Sequence, residues 1–206
     1  MIYIPQKAFF NLPPQRQEEI LEKTMELYSQ HPYPEVTLQH LLQTLSLNPA
    51  TFYRYFSDKD ELFLYAHSVI SDKQEPLFQK SYEEHDCNIF SMFEPYPTLS
   101  KLEKDFNKAF DTIPNDVLLR FILEVAKNQT FPKAKNSLRQ LRAQNRVHAD
   151  IDDDLISFMY ATTMFNMNLF FREYGITDEE LKTNLKKNFY TGFFQRGILK
   201  DPEHHE

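Results

Sequence analysis

Arg54 and Lys59, set among Asn48, Thr51, Tyr53 and Tyr55, are the side chains of this 206-residue chain best suited to meeting a polyanion. A guanidinium presents a rigid fork of donors that matches a phosphate or a guanine edge, and amide and hydroxyl groups add directional contacts to phosphate oxygens. From 37 to 59 the charged residues are Arg54, Lys59 and Asp58, a local balance of +1 within a chain whose net charge is -7. That is a modest attraction, and it implies weak non-specific affinity with few released counterions.

Other chemistry is thinly supported. Five of the seven histidines, His31, His40, His67, His85 and His148, are scattered, and His204 and His205 lie at the acidic end. No His-Glu-x-x-His spacing or paired cysteine occurs, so no metal and no cofactor is expected. Glu83-Glu84-His85-Asp86-Cys87 is the densest group of ligand-type residues, but it lacks a complementary set elsewhere. Asp152-Asp153-Asp154 reads as a helix beginning, where carboxylates meet the positive end of the dipole, rather than as a magnesium site. No catalytic residues are assigned, and the chain is not expected to be an enzyme.

Positioning Arg54 falls to a run of short helices. Pro13-Pro14 marks a helix start, followed by Ile20, Leu21, Thr24, Leu27 and Tyr28 at helical spacing. His31-Pro32-Tyr33-Pro34 stops it. Thr37 is placed to cap a short helix through Leu38, Leu41, Leu42 and Leu45. Ser46-Leu47-Asn48 then makes a tight turn, and Asn48 and Pro49 open the helix that carries Arg54. Asp58 with Glu61 starts a longer helix in a pattern like a capping box, and Pro76 limits or kinks it. Residues 1–13 show no sustained period and read as an arm.

Further along, Leu99, Leu102, Phe106 and Phe110 form one stripe, and Leu118, Phe121, Ile122 and Val125 form another. Residues 133–146 carry Lys133, Lys135, Arg139, Arg142 and Arg146 without an acid, a basic run expected on a solvated helix. Two closing helices begin at Asp152-Asp153-Asp154 and at Thr177 with Glu180. Three glycines, at 175, 192 and 197, argue against Gly-rich nucleotide loops and a turn-rich all-β chain. The lone Cys87 excludes an internal disulfide and fits a reducing, cytoplasmic setting. No 18-residue apolar stretch is present, so no membrane partner is expected.

Two short helices joined by a three-residue turn, braced by one helix and continued by another, are the parts of a helix-turn-helix. The stretch from Arg16 to Leu62 resembles the tetracycline-repressor-like (TetR/AcrR) family of transcriptional regulators. The resemblance rests on Val36-Thr37, Leu41-Leu42, Leu47-Asn48, Thr51-Phe52-Tyr53-Arg54-Tyr55-Phe56 and Lys59-Asp60-Glu61-Leu62, with Phe9-Phe10-Asn11-Leu12-Pro13 as a lead-in. Three positions depart from the family pattern: Ser46 and Ala50 stand where glycine is usual, and Leu42 where a small residue is usual. Ser46 implies either a strained positive-φ residue or an altered turn.

The resemblance implies that Tyr53 and Lys59 meet the phosphate backbone, and that Thr37 and Thr51 approach DNA. Asn48, Pro49, Ala50, Arg54 and Tyr55 would then lie at or near the groove, with Arg54 the candidate for base readout. It also implies that the last two helices pair with those of a second subunit. The residues suited to that are Ile156, Met159, Phe170, Leu181, Leu185, Phe189 and Phe193, and their broad apolar coverage independently suggests a partner. A small-molecule pocket is expected on the same ground, lined by Phe90, Phe93, Phe106, Phe110, Phe121, Tyr160, Met164, Met167 and Phe171. Asn166, Asn168 or Arg120 would supply polar anchors.

The expected fold is therefore all-α. A three-helix helix-turn-helix DNA-binding domain with its arm spans 1–60, and a larger helical effector-binding and dimerisation domain spans 61–206. The expected function is a DNA-binding transcriptional regulator acting as a homodimer on a double-stranded, palindromic operator. It would be a ligand-responsive repressor, released by a small apolar or aromatic effector. A helical protein-interaction module without DNA binding, or a small helical enzyme, is the alternative.

Overall fold

A computed structural model of the chain describes residues 4–86, 88–91, 99–148 and 152–199. These residues are organised by helices, with one isolated antiparallel bridge between Val147 and Leu199. Two compact units emerge, one from residues 1–76 with 96–121 and the other from 77–95 with 122–206.

In the first unit, α1 (Lys7–Phe10) gives the arm a helical turn, and Phe9 is fully buried on it. Next comes α2 (Pro14–Gln30), which opens on its proline and buries Ile20, Thr24, Leu27 and Tyr28. The Thr24 hydroxyl spends its hydrogen on the Ile20 carbonyl, 2.7 Å away, so its burial leaves no donor unpaired. A 3-10 turn at Tyr33–Glu35 follows the prolines, and then α3 (Leu38–Leu45) and α4 (Pro49–Tyr55).

The long α5 (Lys59–Glu84) runs through Pro76. Its start satisfies two orphan donors. Asp58 accepts from the Glu61 amide at 2.7 Å, while the Glu61 carboxylate reaches one residue further back than a capping box would, to the Ser57 amide. The capping box itself occurs at Ser100 and Glu103, opening α6 (Lys101–Asn107). After a 3-10 turn at Lys108–Thr112 comes α7 (Asn115–Val125). Phe63 of α5 gathers Phe106 and Phe110, each at 5.0 Å between ring centroids, and Phe110 meets Phe121 at 5.4 Å.

The second unit is built on α8 (Phe131–Ala143) and α9 (Asp153–Glu173), followed by α10 (Glu179–Phe189) and α11 (Arg196–Ile198). Its core includes Tyr82, Phe90, Leu138, Leu141, Tyr160, Tyr190 and Phe194. Only one side of α8 is solvated, because Ala134, Ser137, Leu138 and Leu141 are buried. Two members of the basic run pair with acids, Lys135 with Asp154 and Arg142 with Asp153, both at 2.5 Å, and Lys133 lies 4.3 Å from the Phe78 ring centroid. Asp152 caps α9 as the sequence suggests, accepting from the Leu155 amide at 2.7 Å.

The cap of α10 falls one residue later than the Thr177–Glu180 pattern predicts. Asp178 takes the Leu181 amide at 2.7 Å, since a carboxylate is an equally good acceptor and sits one step nearer the helix. Beyond α10 the chain widens into a π-helical segment at Tyr190–Gln195.

Candidate nucleic-acid interface

The turn between α3 and α4 is fixed at both ends by local hydrogen bonds. The Thr37 hydroxyl accepts from the His40 amide at 3.1 Å and begins α3, while Leu41 and Leu45 are buried beneath it. Ser46 closes α3 with φ 53°, the left-handed value that favours glycine. Its amide reaches the Gln43 carbonyl at 3.2 Å and the Leu47 amide reaches Leu42 at 3.0 Å, the paired closure of a Schellman motif. Arg16 adds a tie from α2, donating through Nη2 to the Leu45 carbonyl at 3.0 Å. Asn48 then accepts from the Thr51 amide at 2.8 Å, and Pro49 occupies the first turn of α4.

This framework sorts the α4 residues into two sides. Phe52 and Phe56 are wholly buried and hold the helix down. Asn48, Pro49, Ala50, Tyr53 and Arg54 are exposed on the other side, with Tyr53 52% accessible. Arg54 has no hydrogen bond or ion pair among the described residues, so its guanidinium is available to an incoming group. Thr51 and Tyr55 are partly buried, and the Tyr55 ring lies edge-on to Phe9 at 6.2 Å. Thr37 is exposed at the start of α3.

Lys59 is more committed than its sequence position suggests. Its Nζ donates to the Val36 carbonyl at 2.8 Å and to the Tyr33 carbonyl at 3.4 Å, and lies 4.3 Å from the Tyr33 ring centroid. Burial holds its pKa below the ordinary lysine value, opposed by the charge of Asp60. Asp60 accepts from the Tyr33 hydroxyl and pairs with Arg120 at 3.5 Å. Burial first, and that hydrogen bond second, push the Tyr33 phenol well above the usual tyrosine range.

Arg16 ties α2 to the end of α3 through Leu45, and Tyr33 with Asp60 ties the segment before α3 to α5, yet their spacing gives no sign of either. Their partners are remote in sequence.

The residues suggested for an effector pocket separate into groups. Phe106, Phe110 and Phe121 belong to the first unit, where the His67 ring lies 4.3 Å from Phe110 and 5.1 Å from Phe121. In the second unit Phe90 meets Tyr160 at 4.9 Å, the Tyr160 hydroxyl donates to the Ile89 carbonyl at 2.9 Å, and Met167 packs against the same core. Phe171 is buried beside Phe170, at 5.9 Å. Phe93 and the side chain of Met164 lie outside the described residues. Of the suggested polar anchors, Arg120 is engaged with Asp60, Asn166 is exposed and Asn168 partly buried.

Cys87 of the acidic ligand-type cluster also lies outside the described residues. Among the described residues no three His, Cys, Asp or Glu side chains are placed to hold a metal ion. Nor is any of their helices long and apolar enough to cross a membrane.

Residues 20–66, from the middle of α2 through the start of α5, match the family model of bacterial regulatory proteins, tetR family. That segment is TetR-like. The match supports a DNA-binding regulator, and the matched segment contains the exposed α4 face. No curated protein matches the chain in sequence. Among solved structures it is similar to native NalD of Pseudomonas aeruginosa, described as the secondary repressor of the MexAB-OprM multidrug efflux pump. The TM-score there is 0.54 at 11% identity, covering 91% of this chain and 98% of that one.

It is also similar to a TetR family transcriptional regulator of Chloroflexus aurantiacus, with TM-score 0.47, 14% identity and coverage of 96% and 100%. The likeness to NalD shows a shared fold over nearly the whole chain.

Proposed function

We propose that this TetR-like chain is a sequence-specific transcriptional repressor that holds a palindromic operator as a homodimer and lets go when a small apolar or aromatic effector binds. Function divides near residue 60: residues 1–60 read DNA, and 61–206 bind the effector and the second subunit. The observation that carries the reading is the two-sided α4, anchored by Phe52 and Phe56 and presenting an unengaged Arg54. A recognition helix needs such a rigid back and a free donor face to enter a major groove.

Dimerisation is supported by apolar side chains that the single chain leaves in water. Met159, Phe170, Leu181, Phe189 and Phe193 are each exposed, as are Leu155 and Phe158 beside them. Ile156 and Leu185 are partly buried. Two subunits would bring two copies of α4 to successive half-sites, which is why the operator is proposed to be palindromic. The aromatic groups around His67 and around Tyr160 suit an apolar effector. If DNA and effector favour different arrangements, each lowers affinity for the other by the same factor.

Selection of bound duplexes from random fragments tests the reading, followed by titration of the winning site with the unmodified chain and with Arg54→Ala. We expect a single enriched motif and a loss of about 1–3 kcal/mol at one operator position in the variant, with the fold retained. Unchanged binding by Arg54→Ala would remove the base-reading role. Increased reporter expression on deleting the gene is the result expected of a repressor.

A further inference from the structure

We infer that the arm preceding the helix-turn-helix, from Pro5 to Phe10, is a positioning strap that sets the tilt of α4 and thereby its sequence selectivity. This rests on the DNA-reading function proposed for α4. The helix has only seven residues, so its own hydrogen bonds do little to fix its direction. The arm holds its far end in two independent ways. The Gln6 amide donates to the Tyr55 carbonyl at 2.8 Å, satisfying an acceptor that a helix C-terminus leaves open. Phe9, with no exposed surface, sits 5.0 Å from Phe56 and 5.6 Å from Tyr65, and Phe56 continues to Phe52 at 5.6 Å.

A line of rings thus runs from the arm to the buried back of α4. The arm is itself tethered to α2, because Gln17 Nε2 donates to the Leu12 carbonyl at 2.8 Å. Pro5 is buried as well, whereas Gln6 and Lys7 face solvent. Nothing in this role needs the arm to touch DNA. Base readout tolerates little displacement, while phosphate attraction tolerates more, so a loosened strap should damage selectivity before it damages attraction.

Gln6→Pro isolates the hydrogen bond. The residue already has φ -58°, a proline value, and its side chain is exposed, so the substitution removes the donor with little other change. Phe9→Leu tests the ring line while keeping the site apolar. For each chain, affinity is measured for the selected operator and for a scrambled duplex, alongside thermal melting. We expect the operator-to-scrambled ratio to fall about tenfold in Gln6→Pro and several-fold in Phe9→Leu, with scrambled-duplex affinity within about twofold.

Ratios unchanged in both variants would overturn the strap. So would a parallel loss on both duplexes that tracks the melting temperature, because that marks plain stabilisation. Failure of the unmodified chain to bind any duplex would overturn the DNA-reading function itself, and is distinguished by appearing before any substitution is made.

Discussion

Arg54 stands in water with its charge uncommitted, whereas His67 packs, partly buried, against Phe110 and Phe121 and its Nδ1 has no hydrogen-bond partner. Burial pushes the His67 pKa down from 6.5 to about 4. The unfolded chain therefore binds a proton that the folded chain refuses. Stability from this site is fully present above about pH 6.5 and drains away as pH falls toward about 4. His67→Leu should flatten that dependence, losing less stability than the unmodified chain between pH 7 and pH 5 in urea titrations. Equal losses would remove His67 as the cause.

Thr37, Asn48 and Asp152 were readable in sequence because a cap is decided within three residues. The setting of His67 was not, since the rings packed against it come from segments far along the chain.

At the scale of elements, Ser46 shows a local conflict resolved in favour of the turn. A residue with a Cβ adopts φ 53° because the Schellman closure and the Asn48 cap leave α3 and α4 no other junction. Ser46→Gly should relieve it, raising stability by about 1 kcal/mol and leaving operator selectivity unchanged. A fall in melting temperature would mean that the serine hydroxyl makes a contribution of its own.

Strong, well-capped helices such as α3 and α9 were legible from stripe and punctuation together. The helical turn within the arm was not, because four residues are too few to show a period; tertiary packing of Phe9 holds α1. The closing stripe of Leu181, Leu185, Phe189 and Phe193 repeats every four residues, longer than the 3.6 of an α-helix. The wider π-helical segment at Tyr190–Gln195 helps keep that face in register, a departure visible only in the structure.

At the scale of the whole molecule, the exposed apolar side chains of the last two long helices bear on assembly. Leu155, Phe158, Met159, Phe170 and Tyr174 of the α9 region, and Leu181, Phe189 and Phe193 of the α10 region, are exposed, which supports the proposed subunit contact. A double substitution, Leu181→Glu with Phe193→Glu, should convert a dimer into a monomer in sedimentation and weaken operator binding by much more than tenfold. Each half-site then binds alone. A double variant that sediments like the unmodified chain would exclude this face as the subunit contact.

Apolar breadth in the last two helices was legible as a need for cover. The packing of 99–121 with the N-terminal segment was not, because it is settled by Phe63 choosing Phe106 and Phe110 among many aromatic candidates. Likewise, nothing in the basic run of 133–146 announced that Lys135 and Arg142 would meet Asp154 and Asp153.

Lys59 carries one consequence for how quickly a complex could mature. An ammonium group has three hydrogens, and Val36 and Tyr33 occupy two directions. The tether has already frozen a side chain that in solvent would keep roughly 2 kcal/mol of rotamer entropy. A phosphate arriving along the remaining direction would find the cation waiting in place.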